Sequence, residues 1–171
     1  MSERNVFVIS DTHFCHTNIL KFKDKNGNHI RQFGSVDDMN HTMISNWNSL
    51  IEDHDLVYHL GDVSFGNHSQ THEILSQLKG RKRLIVGNHD PIKSKVLHDH
   101  FQKIFMWKPF NENGVKALLT HVPVHPSNIP EGYINVHGHI HQNNSPEGPY
   151  FNVSVEKTDY KPVKLCHLIN G

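Results

Sequence analysis

A chain of 171 residues suits one domain with a single core that needs no disulfide or metal staple to fold. Lysine plus arginine and aspartate plus glutamate balance at 17 each, for zero formal charge and a pI near 7.3, so nothing steers the whole molecule toward nucleic acid or a membrane surface. Two cysteines, Cys15 and Cys166, exclude a disulfide framework; with no leader pattern and no apolar run near the ~18 residues of a membrane span, a soluble cytoplasmic protein is expected. Histidine is the unusual count, also 17 and spread along the chain, which raises the expectation of a metal site. Hydrophobic content is 36% and mean hydropathy −0.56, yet the apolar residues fall in short runs, as a thin sheet core with long functional loops requires.

The first strand is expected over residues 5–10, where Val6-Phe7-Val8-Ile9 has the continuous apolar character of a strand buried on both faces. It runs into Ser10-Asp11-Thr12-His13. An extended backbone would put Asp11 and His13 on one face, within reach of one ion; a simple Asx turn is the structural alternative. His16 has two readings, a contact to a substrate phosphate oxygen or an exposed side chain. Asn26-Gly27 predicts a hairpin flap over 22–31, whose Lys23, Lys25 and Arg31 read as solvated charge more readily than as anion contacts. Ser35 reads as an N-cap, with Asp37 and Asp38 in the first turn. Met39, Met43, Trp47 and Ile51 then recur at helical spacing, a stripe suited to packing on a sheet.

A second strand, 55–60, ends in Gly61-Asp62, and a helix over 69–78 closes at Gly80. Arg81-Lys82-Arg83 reads as a solvated loop ahead of Leu84-Ile85-Val86, which runs into Gly87-Asn88-His89-Asp90. Pro91 suits the first turn of a short helix reaching His100. Residues 103–110 and 115–120 read as strands joined by a Glu112-Asn113-Gly114 turn, the second ending in Thr120-His121. The loop 122–131 holds three prolines and His125, a candidate pocket wall and substrate contact. Tyr133-Ile134-Asn135-Val136 leads to His137-Gly138-His139-Ile140-His141, and strands over 150–155 and 163–168 follow. His59 and His137 read as core or supporting histidines. Without a repeat, low-complexity tract or linker, residues 1–171 read as a single domain.

Five apolar runs thus end in polar turns, and ligands of open α/β sheets sit beyond the carboxyl ends of strands. These turns would deliver Asp11, His13, Asp62, Asn88, His121, His139 and His141 to one rim. Oxygen and imidazole donors without thiolates suit Mn, Fe, Zn or Ni. Seven donors exceed a four-coordinate site, but they suffice for two ions that share a carboxylate. Two cations about 3.5–4 Å apart serve in-line displacement at phosphorus, so phosphoester hydrolysis is the expected reaction class. His89, adjacent to Asn88, is then placed to donate a proton to the leaving oxygen without ligating.

The ordered set Asp11-Thr12-His13, Gly61-Asp62, Gly87-Asn88-His89-Asp90, Thr120-His121 and Gly138-His139-Ile140-His141 resembles the calcineurin-like metallophosphoesterase family across residues 10–141. The resemblance implies an α/β fold, an αββα sandwich of two mixed sheets flanked by helices, with a dinuclear metal site at strand C-terminal ends. By motif position it implies Asp11, His13 and His141 on one ion, Asn88, His121 and His139 on the other, Asp62 between them, and His89 as the proton donor. Mn2+ is the metal expected first. The start Asp-Thr-His-Phe-x-His and the segment Tyr-His-Leu-Gly-Asp are most similar to small single-domain bacterial and phage members. Protein phosphatases of the family place an aspartate and an arginine where Phe65 and Gly66 stand, which speaks against a phosphoprotein substrate and an aspartate partner for His89. The expected activity is a phosphodiesterase on a small nucleotide-like substrate. A phosphomonoesterase or nuclease of the same fold is the alternative, the nuclease disfavoured by the neutral charge. A non-catalytic scaffold of this fold would show damaged ligands, and none of the seven is missing.

Overall fold

In the computed structural model, which describes residues 4–169, period-two alternation builds the first sheet. Strand β1 (Val6–Ile9) sends Phe7 and Ile9 into one core and Val8 into another. It pairs in parallel with β2 (Leu56–His59), which pairs in parallel with β3 (Arg81–Ile85), and β3 likewise with β4 (Lys103–Phe105). A short β9 (Val163–Lys164) runs antiparallel on the other edge of β1. The second sheet has the order β5 (Lys108–Glu112), β6 (Val115–Leu119), β7 (Ile134–His137), β8 (Tyr150–Asn152), antiparallel only between β5 and β6. Val8, Leu56, Tyr58 and Ile85 meet Phe110, Ala117, Leu119 and Val136 between the two sheets. The expected stack of two mixed sheets with flanking helices is present.

The helices form where caps and apolar stripes coincide. Ser35 Oγ accepts from Asp38 N at 3.1 Å and opens α1 (Val36–Leu50), whose Met39, Met43 and Trp47 are buried. Asn67 and Gln70 form a reciprocal capping box at the start of α2 (His68–Gln77). With the short α3 (Lys95–His100), both pack in the core on the outer side of the first sheet. Among the described residues no helix is long and apolar enough to cross a membrane.

Five expectations are corrected. Arg81-Lys82-Arg83, expected as a solvated loop, is the first part of β3, because its backbone pairs with Leu56, Val57 and Tyr58 of β2. The helix after Pro91 begins only at Lys95, because Ser94 N closes a turn on Pro91 O at 2.8 Å first. The strand expected over 103–110 is two strands in different sheets: the chain crosses at Met106-Trp107, and each half finds its own ladder. Only Val163–Lys164 of 163–168 is strand; the rest turns as a 3-10 segment that buries Leu165 between the sheets. Arg31, expected in solvent, is 1% exposed, because it donates to the carbonyls of Asp11 and Thr12 and to Glu156.

Candidate metal centre

The ends of β1, β2, β3, β6 and β7 converge as expected, but not through extended backbone. Asp11, His13, Asp62, His139 and His141 all have φ between +48° and +70°. This left-handed region is sparsely used by residues with a side chain and is a form in which strain concentrates at working sites. Asp11 and His13 therefore face one point through a tight turn, not through strand alternation. Cross-links hold the turns in register: Asp11 N donates to Gly61 O at 3.0 Å and His13 N to Asp62 O at 3.1 Å. The Asp90 carboxylate accepts from the N–H groups of Asp62, Val63 and Gly87 at 2.8–2.9 Å, tying the end of β2 to that of β3. Gly138 permits a further close approach, since a Cβ there would collide with Ser10 Oγ and Asp11 Oδ2.

Two donor groups result. The donor atoms of Asp11, His13 and His141 lie within 4.8 Å of one another, and so do those of Asp62, His121 and His139. Asn88 Oδ1 joins the second group, 2.9 Å from His121 Nε2 and 3.0 Å from His139 Nδ1. Asp62 Oδ2 stands between the groups, 3.5 Å from His13 Nε2 and 3.5 Å from His121 Nε2. Within the first group Asp11 Oδ1 and His13 Nε2 are buried and have no hydrogen-bond partner among the described residues. Orphaned buried polar atoms are costly, and here both point into the donor cluster, so the residues fit a bound cation.

The electrostatics keep both carboxylates ionised, as that fit needs, and divide the imidazoles. Burial raises the Asp11 pKa, but His13, His141 and His121 outweigh it and hold the carboxyl well below the usual carboxylate range. Asp62 is likewise held low, because hydrogen bonds and charge from His121 overcome its burial. Burial pushes His13 and His139 down, toward the neutral imidazole that ligates metals. At His121 and His141 burial is overcome by Asp62 and Glu156 respectively, and both are raised.

Around the donors, the other expected residues take distinct places. His89 donates its backbone N–H to Asp62 Oδ1 at 2.9 Å and leaves its ring exposed beside Phe65, with ring centroids 5.0 Å apart. His16 stacks on Phe65 at 3.9 Å, and one of its ring nitrogens lies 3.3 Å from His13. His125 turns to Ser127 at 2.8 Å and caps a 3-10 turn, outside the neighbouring cleft wall. His59 is buried between Thr12 Oγ1 and Gly61 N, and His137 between Gly138 O and Ser145 Oγ, both as supporting core histidines. Sequence reasoning missed Glu156, whose Oε1 accepts from His141 Nδ1 at 3.0 Å and Arg31 Nε at 2.8 Å. A signal existed: Val153-Ser154-Val155 is one more apolar stretch that ends in a carboxylate.

Carboxylates and imidazoles paired at the strand ends of two stacked sheets suit metal-dependent phosphoester hydrolysis, and residues 4–163 match the calcineurin-like phosphoesterase family, to which this chain belongs. An uncharacterized protein of Methanocaldococcus jannaschii is 37% identical over 175 residues, covering 96% of this chain and 89% of that protein. The Gene 66 protein of Mycobacterium phage L5 is 33% identical over 89 residues, 50% of this chain and 40% of its own. Among solved structures, a protein of unknown function from Aquifex aeolicus has a TM-score of 0.75 and 28% identity, with 98% of this chain and 99% of that one covered.

Proposed function

We propose that this phosphoester hydrolase works with two divalent ions on a small phosphodiester. Asp62 carries the reading: equidistant from an imidazole nitrogen of each donor group, its carboxylate stands where two cations would share it. Asp11, His13 and His141 would hold one ion, and Asn88, His121 and His139 the other. Mn2+ is the first choice, with Fe, Zn or Ni compatible with the same donors. When bound, such ions supply an activated water nucleophile and neutralise charge developing on the phosphoryl oxygens.

The chain's own groups orient the ester and manage its proton. His89, fixed by its backbone on Asp62, presents an exposed imidazole to the leaving oxygen and donates the proton there. Burial and the neighbouring His13 push His16 down to about 4, so at neutral pH it offers a phosphoryl oxygen a hydrogen bond and not a charge. Phe65 stacks on His16 and lies tilted against the His89 ring, so it fixes the spacing of the two imidazoles. The zero formal charge supports a small substrate over nucleic acid, and the site of action is proposed as the cytoplasm.

The test compares initial rates on bis-p-nitrophenyl phosphate and p-nitrophenyl phosphate, with manganese and with a chelator control. Chelator-sensitive turnover of the diester above the monoester is expected. Preference for the monoester would make the protein a phosphatase. Absence of turnover with every metal tried would return it to a scaffold of the same fold.

A further inference from the structure

A cleft of about 790 Å³ opens beside the donor cluster and shares Asn88 and His121 with it. Its lip is the crossing point between the sheets, Met106 and Trp107, which are 64% and 60% exposed. Ile92 and Val122, also exposed, face the same cleft. Single exposed apolar side chains are ordinary, but a contiguous set at the mouth of a reaction site marks a binding surface.

Its polarity decides what can enter. Among the described residues the cleft wall has one carboxylate, Asp90, which is buried and engages three backbone N–H groups with its two oxygens. The Thr120 hydroxyl donates to Val122 O at 2.6 Å. Among the described residues no lysine or arginine lines the cleft. A second phosphate placed there would lose its hydration without a cationic partner, whereas an uncharged apolar group would release water from the walls.

Resting on the hydrolase reading above, we propose that this cleft receives an apolar ester substituent of the substrate, an alkyl chain or an aromatic ring, and that the substrate carries a single phosphate. The phosphoryl group would lie among the donors, and its substituent would run past Asn88 and His121 toward Trp107. This narrows the substrate from nucleotide-like esters in general to esters whose substituent is uncharged and apolar.

Trp47 is 1% exposed, so ligand-induced change in tryptophan emission reports on Trp107. Methyl, butyl and hexyl phosphate and thymidine 5′-phosphate would be titrated with manganese present, reading both emission and inhibition of bis-p-nitrophenyl phosphate turnover. Affinity is expected to rise about two- to fourfold per methylene, the factor that corresponds to burying a CH2 group. Hexyl phosphate should shift the emission to the blue and methyl phosphate should not, while Trp107→Ser should reduce the hexyl-to-methyl affinity ratio about tenfold or more. A flat series with unchanged emission would overturn the assignment, as would tighter binding of thymidine 5′-phosphate than of hexyl phosphate. A blue shift driven by protein concentration alone would also overturn it, by showing that a second copy covers the cleft. Ester turnover with a flat series would remove the cleft assignment alone; a positive emission titration without turnover of any ester would remove the hydrolase reading alone.

Discussion

Replacing Glu156 by glutamine removes one negative charge from a side chain that is 3% exposed, while keeping its shape. In the native chain Glu156 Oε1 accepts from both Arg31 Nε and His141 Nδ1, at 2.8 and 3.0 Å. Arg31 in turn holds the carbonyls of Asp11 and Thr12, so the carboxylate fixes the His141 ring and the turn that carries Asp11 together. Hydrogen bonds to a charged group contribute about 1.5–3 kcal/mol and neutral ones about 0.5–1.5, so weakening the two contacts should cost roughly 1–3 kcal/mol. Loss of a carboxylate that orients a ligating histidine typically lowers metal affinity about 10- to 100-fold, which is the same range. Calorimetric titration of the metal-free protein with manganese is the assay. We expect one ion to bind as in the unaltered protein and the other, at Asp11, His13 and His141, to bind about 10- to 100-fold more weakly. Two unchanged binding events, or equal weakening of both, would refute the assignment of Glu156 to one half of the centre.

His89→Gln should lower turnover about 10²- to 10⁴-fold with metal content retained, read by steady-state rates and metal analysis; loss of metal with activity would make His89 a ligand instead. Gly138→Ala would drive a Cβ into Ser10 Oγ and Asp11 Oδ2, so the variant should keep its far-ultraviolet circular dichroism but lose manganese uptake; normal uptake would show that the turn relaxes freely. His59 carries a pH dependence in the metal-free protein, because burial pushes its pKa down to about 3 from 6.5. The unfolded chain takes up this proton first as pH falls, so the neutral buried ring contributes fully above pH 6.5 and loses about 1.4 kcal/mol per pH unit below it. Urea unfolding between pH 7.5 and 4.5 should show that slope, reduced in His59→Gln, and an identical slope in the variant would assign the acid sensitivity to other groups.

Local order carries much of the fold. Ser35 with Asp37 and Asp38, followed by the Met and Trp stripe, leaves little choice but a helix that buries that stripe. The five apolar runs that end in polar turns placed the candidate donors, because a strand buried on both faces must be apolar and can change polarity only where it ends. The split at Met106-Trp107 was not legible, since a β-like run looks the same whether one sheet satisfies its hydrogen bonds or two do. Nor does sequence spacing reveal the positive φ of the turns, which depends on hydrogen bonds donated across strands.

The sequence by itself determined the donor chemistry: which strand ends carry carboxylate, amide and imidazole, and hence a candidate site for divalent metal ions. Only tertiary structure set the distances among those donors, with Asp62 standing 3.5 Å from an imidazole nitrogen of each of the two groups that the resemblance implied. It also brought Glu156 and Arg31 together over 125 positions of sequence and opened an apolar cleft where the chain leaves one sheet for the other. The reason is physical: side-chain type sets what a group can bind, whereas its partners are set by which strands pack side by side.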